Sequence, residues 1–169
     1  ATRILQQLID KPQDVFVQIR RTNPQGKEVL AWVSVKKEAN RLLGTLPRKG
    51  LEVYRLKYGD KATDMLKQAK AMNDRMVMGQ VMTRYLYTDA GAEAANWLGT
   101  RLLDRGDYIG AARYFERLIS REGADQVEPI TLFKAAYAFH QAGDKANEEQ
   151  AWKDLNDRVR ELKLGNDTR

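Results

Sequence analysis

The stretch that decides the fold is 95–118, which reads ANWLGTRLLDRGDYIGAARYFERL. Its two halves carry the small residues Gly99 and Ala111, which would let two helices approach closely. Gly106 can adopt the left-handed conformation that ends a helix, and Asp107 can cap the helix that follows. Large apolar residues occupy the remaining core positions: Leu98, Leu102, Tyr108, Phe115 and Leu118. The stretch therefore predicts two tightly packed helices that reverse direction at Gly106.

A second, less regular copy of this pattern is centred on Gly143-Asp144. Ala136 takes the small-residue position before the turn, whereas Glu148 replaces the small residue after it. A polar residue there is typical of a terminal repeat, whose outer side faces solvent. Three large residues of this copy are expected to be buried: Phe139, Trp152 and Leu155. Together the two copies predict helix pairs over about 91–121 and 129–163.

These residues resemble the tetratricopeptide repeat, in which small side chains admit a neighbouring helix and large ones fill the groove. The stretch 121–128 makes the connection between the copies longer than usual for that family. The resemblance implies a mostly α fold in which antiparallel helix pairs form a helical-repeat solenoid over 47–169. It also implies a concave face, built from the first helix of each pair, that binds a peptide or protein partner.

By this resemblance, the partner-binding residues are the exposed positions on the first helix of each pair. They are Asn96, Thr100, Arg101, Arg105, Lys134, Tyr137 and His140. Amide and guanidinium groups at such positions can bind the backbone amides or the carboxylates of a ligand. We therefore expect a non-enzymatic protein-interaction or scaffold module.

Residues 1–46 predict a different arrangement. Apolar residues have helical spacing in 2–9, and then alternate with other residues in 15–20 and recur in a β-branched run over 29–35. Between these runs, Asn23-Pro24-Gln25-Gly26 has the residue preferences of a type I turn. The pattern indicates one helix, then a small β-hairpin, and then a lead-in helix marked by Ala39, Leu42, Leu43 and Leu46. Because an isolated hairpin is marginally stable, it must pack on a helix or on a neighbouring domain.

From Lys36 onward the sequence indicates helix with interruptions. We expect breaks at Pro47 and Gly50, and we expect Gly59-Asp60 to reverse the chain as Gly106-Asp107 does. All five Met fall within residues 65–82, where flexible thioethers suit gap filling in a core. Met78 lies off the predicted apolar stripe of its helix, so it is the Met we expect to be exposed.

Several short motifs of the N-terminal region form a second resemblance: SVKKEANRLL (34–43), LP (46–47), GLEVY (50–54) and YG (58–59). They are similar to the N-terminal part of certain large bacterial exported proteins, in which a helical region precedes a β-propeller of the pyrroloquinoline-quinone-repeat type. The resemblance implies a periplasmic or cell-envelope location and a propeller beyond this sequence. The sequence itself holds neither a propeller repeat nor a quinone-binding residue, so we expect no cofactor. Because it starts without Met, we expect it to be part of a longer protein.

The net charge of +6 is unevenly distributed. Residues 1–70 hold 15 Lys or Arg and 7 Asp or Glu, whereas residues 71–169 hold 14 and 16. A basic half attracts nucleic acid, acidic protein or anionic lipid. Its basic residues are scattered among acids, however, which favours an ordinary solvated surface, and no nucleic-acid-binding motif accompanies them.

The residue types needed for catalysis and for soft-metal binding are scarce. The chain has no Cys and a single His, His140, which we expect at the surface or between helices. Neither Ser34 nor Ser120 lies in a nucleophile elbow, and no glycine-rich phosphate loop occurs. We therefore expect no metal site, no catalytic residue and no enzymatic activity.

Two alternatives to a peptide-binding module stay open. In the first, the helical domain is structural and packs permanently on a C-terminal propeller of its own polypeptide. In the second, the basic half tethers the protein to nucleic acid or anionic lipid. No run reaches the roughly 18 apolar residues of a membrane span, so we expect none.

Overall fold

The computed structural model describes residues 2–23, 25–120 and 127–166, with the side chains of 164–166 excepted. The protein is mostly helical, at 74%, with one small antiparallel sheet, which confirms the predicted fold class at this level. Its helices and strands, in chain order, are α1 (Thr2–Asp10), β1 (Phe16–Thr22), β2 (Glu28–Ser34), α2 (Val35–Gly44), α3 (Arg48–Ala71), α4 (Arg75–Tyr85), α5 (Asp89–Leu103), α6 (Tyr108–Ile119), α7 (Pro129–Ala142) and α8 (Lys145–Asn166).

The chain forms two compact units, residues 1–57 and residues 58–169. The division falls inside α3, which supplies its first part to one unit and its second part to the other. The domain boundary predicted between residues 46 and 47 stays a prediction.

The first unit contains the predicted β-hairpin. β1 and β2 pair in one regular antiparallel register, from Phe16 opposite Ser34 to Thr22 opposite Glu28. At the turn, the Asn23 side chain accepts hydrogen bonds from the backbone N–H groups of Gln25 and Lys27. Pro24 of the predicted turn lies outside the described residues. The Asx-type hydrogen bonds explain why an Asn begins this turn.

The hairpin leads directly into α2, because Ser34 both ends β2 and caps the helix. The Ser34 hydroxyl accepts a hydrogen bond from the backbone N–H of Lys37 and donates one to Asp14. Asp14 also accepts from the N–H of Lys36. These contacts satisfy backbone donors that would otherwise be unpaired at the start of α2.

A buried polar contact lies within the core of the first unit. The Tyr54 hydroxyl donates to Gln6 Oε1 at 2.8 Å, and Gln6 Nε2 donates to Asp10 at 2.9 Å. Both Gln6 and Tyr54 are buried, so these bonds replace the water that each side chain gives up. Apolar residues from α1, α2 and α3 are buried in the same unit: Ile9, Ala39, Leu43, Leu51 and Tyr54.

The predicted breaks at Gly50 and at Gly59-Asp60 are wrong, because both lie inside the continuous helix α3. Gly59 does not adopt the positive φ that would end a helix. A glycine in a helix costs about 1 kcal/mol relative to alanine. Burial of side chains on both sides of Gly59, among them Tyr54 and Ala62, offsets that cost.

In the second unit, each of the helices α4 to α7 contacts the next one along the chain, and α5 also contacts α7. Gly106 and Gly143 both have φ +74°, so the predicted left-handed turns occur at these two positions. Asp107 caps α6 by accepting from Gly110 N–H, and Asp144 accepts from Asn147 N–H at the start of α8. Both turns therefore have the predicted chemistry.

The small residues lie where helices approach. A Cβ placed on Gly99 would stand 2.9 Å from Cζ of Phe115, so an α5 side chain of any size would press on α6. Ala111 and Ala136 are fully buried. The predicted end of the first helix pair at residue 121, and most of the 121–128 connection, lie outside the described residues.

The second helix pair differs from the sequence prediction at Trp152, which is 38% exposed and so is not a buried residue of the core. Ala151 is the fully buried neighbour, and Leu155 is half-buried. The small Ala151 side chain faces the core, which turns the adjacent large Trp152 outward. Its ring meets that of Phe133 edge to face, with centroids 5.8 Å apart.

The prediction for the methionines is also wrong at Met78, which is fully buried. The buried stripe of α4 consists of Met78, Val81, Met82 and Tyr85. Met72 and Met76, near the turn between α3 and α4, are the exposed methionines, at 75% and 76%. A one-residue shift of an apolar stripe is hard to detect in α4, because apolar residues occur on several of its sides.

Candidate functional site

Three of the predicted partner-binding residues meet across two helices. Lys134 Nζ on α7 donates to Thr100 Oγ1 on α5 at 3.2 Å. The same hydroxyl donates to Asn96 Oδ1, one turn earlier, across a longer 3.4 Å. All three side chains are partly accessible. They form one polar cluster, Asn96–Thr100–Lys134, that keeps hydrogen-bonding capacity for a ligand.

Arg101 lies beside this cluster in sequence, but part of its side chain is already engaged. Its guanidinium lies over the Trp97 ring, with Cζ 4.9 Å from the ring centroid. Its Nε atom is buried and has no hydrogen-bond partner among the described residues. The stacking restricts the direction of the side chain, since a cation above a ring is held by the ring quadrupole. Arg105 lies beyond the end of α5 and is exposed.

Tyr137 and His140 follow Lys134 on α7 at intervals of three residues, so the three side chains are neighbours along that helix. The Tyr137 ring stands edge-on to Tyr108 of α6, with centroids 6.1 Å apart. His140 Nδ1 lies 3.0 Å from Glu148 Oε1 of α8. His140 is thus an exposed residue that contacts a neighbouring helix. Both Tyr137 and His140 retain solvent-exposed surface.

Two further α7 residues belong to this surface and were missed from the sequence. Ile130 and Phe133 are 55% and 47% exposed, and with Tyr137 they form an apolar row at helical spacing. Trp152 of α8 extends the row through its contact with Phe133. The opposite side of α7 carries its buried residues: Leu132, Ala135, Ala136 and Phe139. The available signal was that α7 has more apolar residues than one buried stripe needs.

We call the combined area the α5/α7 surface: the polar cluster of Asn96, Thr100 and Lys134 and the apolar row of Ile130, Phe133 and Tyr137. It joins exposed apolar side chains to directional polar groups. Such a combination suits the binding of a peptide, whose side chains need apolar contacts and whose backbone needs hydrogen bonds.

A cavity of about 320 Å³ lies elsewhere in the second unit, lined by Ile119, Val127, Leu132, Asp154, Asp157, Arg158 and Glu161. Its charged groups partly satisfy one another, since Arg158 Nη1 pairs with Glu161 at 3.0 Å. Within residues 2–23, 25–120 and 127–166, no three His, Asp or Glu side chains are grouped so that they could hold a metal ion.

Burial shifts the pKa of a basic residue in the second unit. Desolvation lowers the pKa of Arg117 on α6, which is largely enclosed, while Tyr87 and Tyr114 oppose that shift. Arg117 is not one of the residues of the α5/α7 surface.

Comparison with protein families, with curated proteins and with solved structures finds no match for this chain. None of the helices in the described part of the chain combines the length and the apolarity needed to cross a bilayer. Function therefore has to be inferred from the chain's own residues.

Proposed function

We propose that residues 58–169 are a helical-repeat module of tetratricopeptide type that binds a protein segment on the α5/α7 surface and catalyses no reaction. The observation that carries this proposal is the polar cluster itself. Lys134 and Thr100 are far apart in sequence, yet their side chains lie 3.2 Å apart on the first helices of the two pairs. The resemblance to tetratricopeptide repeats implies that the ligand binds on these first helices.

The apolar row would supply affinity. Ile130, Phe133 and Tyr137 each leave about half of the side chain exposed. Covering that area would contribute about 1 kcal/mol for each residue. Three such contacts total about 3 kcal/mol, which by themselves correspond to binding in the millimolar range, so tighter binding depends on the polar groups as well.

The polar cluster would supply direction. Lys134 can bind a ligand carboxylate or carbonyl oxygen while it remains near Thr100. Asn96 can both donate to and accept from a peptide backbone, which makes it suited to an extended segment. Arg105, exposed beyond the end of α5, adds a positive charge near the edge. The proposed ligand is therefore an extended segment with apolar side chains and at least one carboxylate.

The experiment is selection of short peptides from a displayed random library against the whole chain, followed by anisotropy measurements with labelled hits. Phe133→Ser and Lys134→Ala are expected to weaken binding about tenfold and about threefold, respectively. Leu56→Ser is the matched control, because Leu56 is an exposed apolar helix residue in the other unit. An equal loss of peptide affinity in Phe133→Ser and Leu56→Ser would contradict the proposal.

The structural alternative makes a different prediction in the same experiment. A surface that packs permanently within one polypeptide need not select any peptide in trans. If no selected peptide binds to the α5/α7 surface, the exposed apolar row is better explained as a surface that packs on another part of the same polypeptide.

A further inference from the structure

The β-hairpin of the first unit is open on one face. The side chains of even-numbered residues share that face, and Phe16, Leu30 and Trp32 are 61%, 63% and 67% exposed there. On the other face, Arg21 pairs with Glu38 of α2 and Ala31 and Val33 are half-buried, although Val17 and Val29 are 38% and 41% exposed. Three large apolar side chains on one uncovered face are unusual in a two-stranded sheet, because they are normally packed against something.

The backbone groups of the same residues point away from the hairpin. Val35 N–H donates to Val15 O at 2.8 Å, and Asn23 N–H donates to Lys27 O at 2.9 Å. In an antiparallel pair, hydrogen-bonded and non-hydrogen-bonded residue pairs alternate. With the regular register, the odd-numbered residues therefore bond across the hairpin. The N–H and C=O groups of even-numbered residues, such as Leu30 and Trp32, face outward.

The two edges differ in their chemistry. β1 has Arg20 among its outward-facing residues, and a charged residue discourages the addition of another strand. β2 has one charged outward-facing residue, Glu28 at its first position, and none between Val29 and Val33. Within the described residues, the sheet has only two strands, so the outer edge of β2 is unpaired. An edge that is apolar and uncharged over residues 29–33 is suited to pairing with another strand.

Charge indicates which kind of strand fits. Residues 1–57 hold 12 Lys or Arg and five Asp or Glu, a net charge of +7. Four of those carboxylates already contact groups in the same unit: Asp10, Asp14, Glu38 and Glu52. Lys27 and Lys37, beyond the two ends of β2, are exposed and form no ion pair with a described carboxylate. Glu28, the fifth carboxylate, is exposed beside Lys27, so a strand beside β2 would be stabilised by acidic residues most strongly near Lys37.

The geometry points to β2 as a docking edge for an extended segment of a partner protein, with alternating apolar residues flanked by carboxylates. The segment adds a strand to the hairpin and covers Leu30 and Trp32. A second copy of this chain fits less well, because its first unit carries the same net charge of +7 and the two copies would repel. Nucleic acid fits less well too, since it cannot match the alternating donors and acceptors of a strand edge.

The test uses the full chain and a fluorescent peptide of alternating Val and Thr with two Asp at each end. The comparators are the same peptide with Lys in place of Asp, a version with Pro at its centre, and oligodeoxythymidine. The acidic peptide should bind at least about tenfold more tightly than each comparator, because only it combines strand pairing with charge complementarity. Absence of binding by the acidic peptide, or tighter binding by a comparator, would overturn the inference.

The variants locate the binding edge. Leu30→Lys should weaken binding of the acidic peptide about tenfold, because it places a strongly hydrated charge among the outward-facing residues of β2. Gln18→Lys is the matched control on β1, since it adds the same charge on the same face and should leave binding unchanged or slightly tighter. Leu30→Thr keeps strand propensity and should cost about threefold.

Equal effects of Leu30→Lys and Gln18→Lys would overturn the assignment of the edge. Light scattering could instead show that the wild-type protein is a dimer and that Leu30→Lys dissociates it. In that case the strand that pairs with β2 belongs to a second copy of this chain, and the inferred partner protein is wrong. Because every variant lies in the first unit, failure here leaves the α5/α7 proposal for the second unit untouched.

Discussion

Replacing Gly99 by alanine would place a methyl group between α5 and α6. Its Cβ would lie 2.9 Å from Cζ of Phe115 and 3.1 Å from both of the neighbouring ring carbons. Phe115 is fully buried, so its ring cannot move without disturbing the core. Overpacking of this kind costs about 1–3 kcal/mol. Alanine also stabilises a helix by about 1 kcal/mol relative to glycine, so the net loss in the free energy of unfolding is about 0–2 kcal/mol.

Gly79→Ala is the matched control for this substitution. Gly79 lies inside α4, and a Cβ there would meet no atom within 4 Å. It should therefore show only the helix-propensity gain of about 1 kcal/mol. The difference between the two variants isolates the contact with Phe115, which we expect to be about 1–3 kcal/mol.

Urea unfolding followed by far-ultraviolet circular dichroism measures both variants. Adding Phe115→Leu to Gly99→Ala should recover part of the loss, because the smaller side chain makes room for the methyl group. If Gly99→Ala stabilises the protein as much as Gly79→Ala does, α5 and α6 do not approach as closely as the 2.9 Å distance from a Cβ on Gly99 to Cζ of Phe115 requires.

Three further predictions concern the first unit and α3. Gly59→Ala should raise the free energy of unfolding by about 0.5–1 kcal/mol, because Gly59 is inside a helix with open space around it. If the variant is less stable in urea than the wild type, residues 59–60 form a turn instead. Tyr54→Phe should lower it by about 1–3 kcal/mol, since Gln6 Oε1 loses its buried donor; an unchanged urea midpoint would contradict this. Hydrogen bonds from Ser34 and from the Lys36 backbone hold the pKa of Asp14 below its ordinary 3.8. The Asp14 carboxylate therefore contributes fully to the free energy of unfolding above pH 3.8, and this contribution is lost as the pH falls through the lower pKa of the folded state. Asp14→Asn should reduce this loss when unfolding is followed in an acid titration.

The turns show what a sequence can and cannot indicate. Gly106-Asp107 and Gly143-Asp144 were predicted as helix reversals, and their glycines have the required positive φ. Gly59-Asp60 is the same dipeptide, yet it lies inside α3. The difference arises from burial on both sides of Gly59, which is a property of the packed structure rather than of the local sequence.

The candidate surface shows the same limit. The polar residues of the α5/α7 surface were predicted by register, and three of them do meet. Ile130 and Phe133 were missed because an apolar residue on a helix is ordinarily assigned to the core. Trp152 was assigned to the core for the same reason and is partly exposed. Which apolar side chains remain outside depends on how many neighbours the helix has, and a single sequence does not give that number.

The most direct test of a ligand-binding α5/α7 surface is a titration of isotope-labelled protein with a selected peptide, followed by amide chemical-shift mapping. We predict that the largest shifts occur at Thr100, Lys134 and Phe133, with small changes elsewhere in the second unit. Shifts that cluster instead around the cavity lined by Asp154 and Glu161, or that avoid α5 and α7 altogether, would contradict the proposed function.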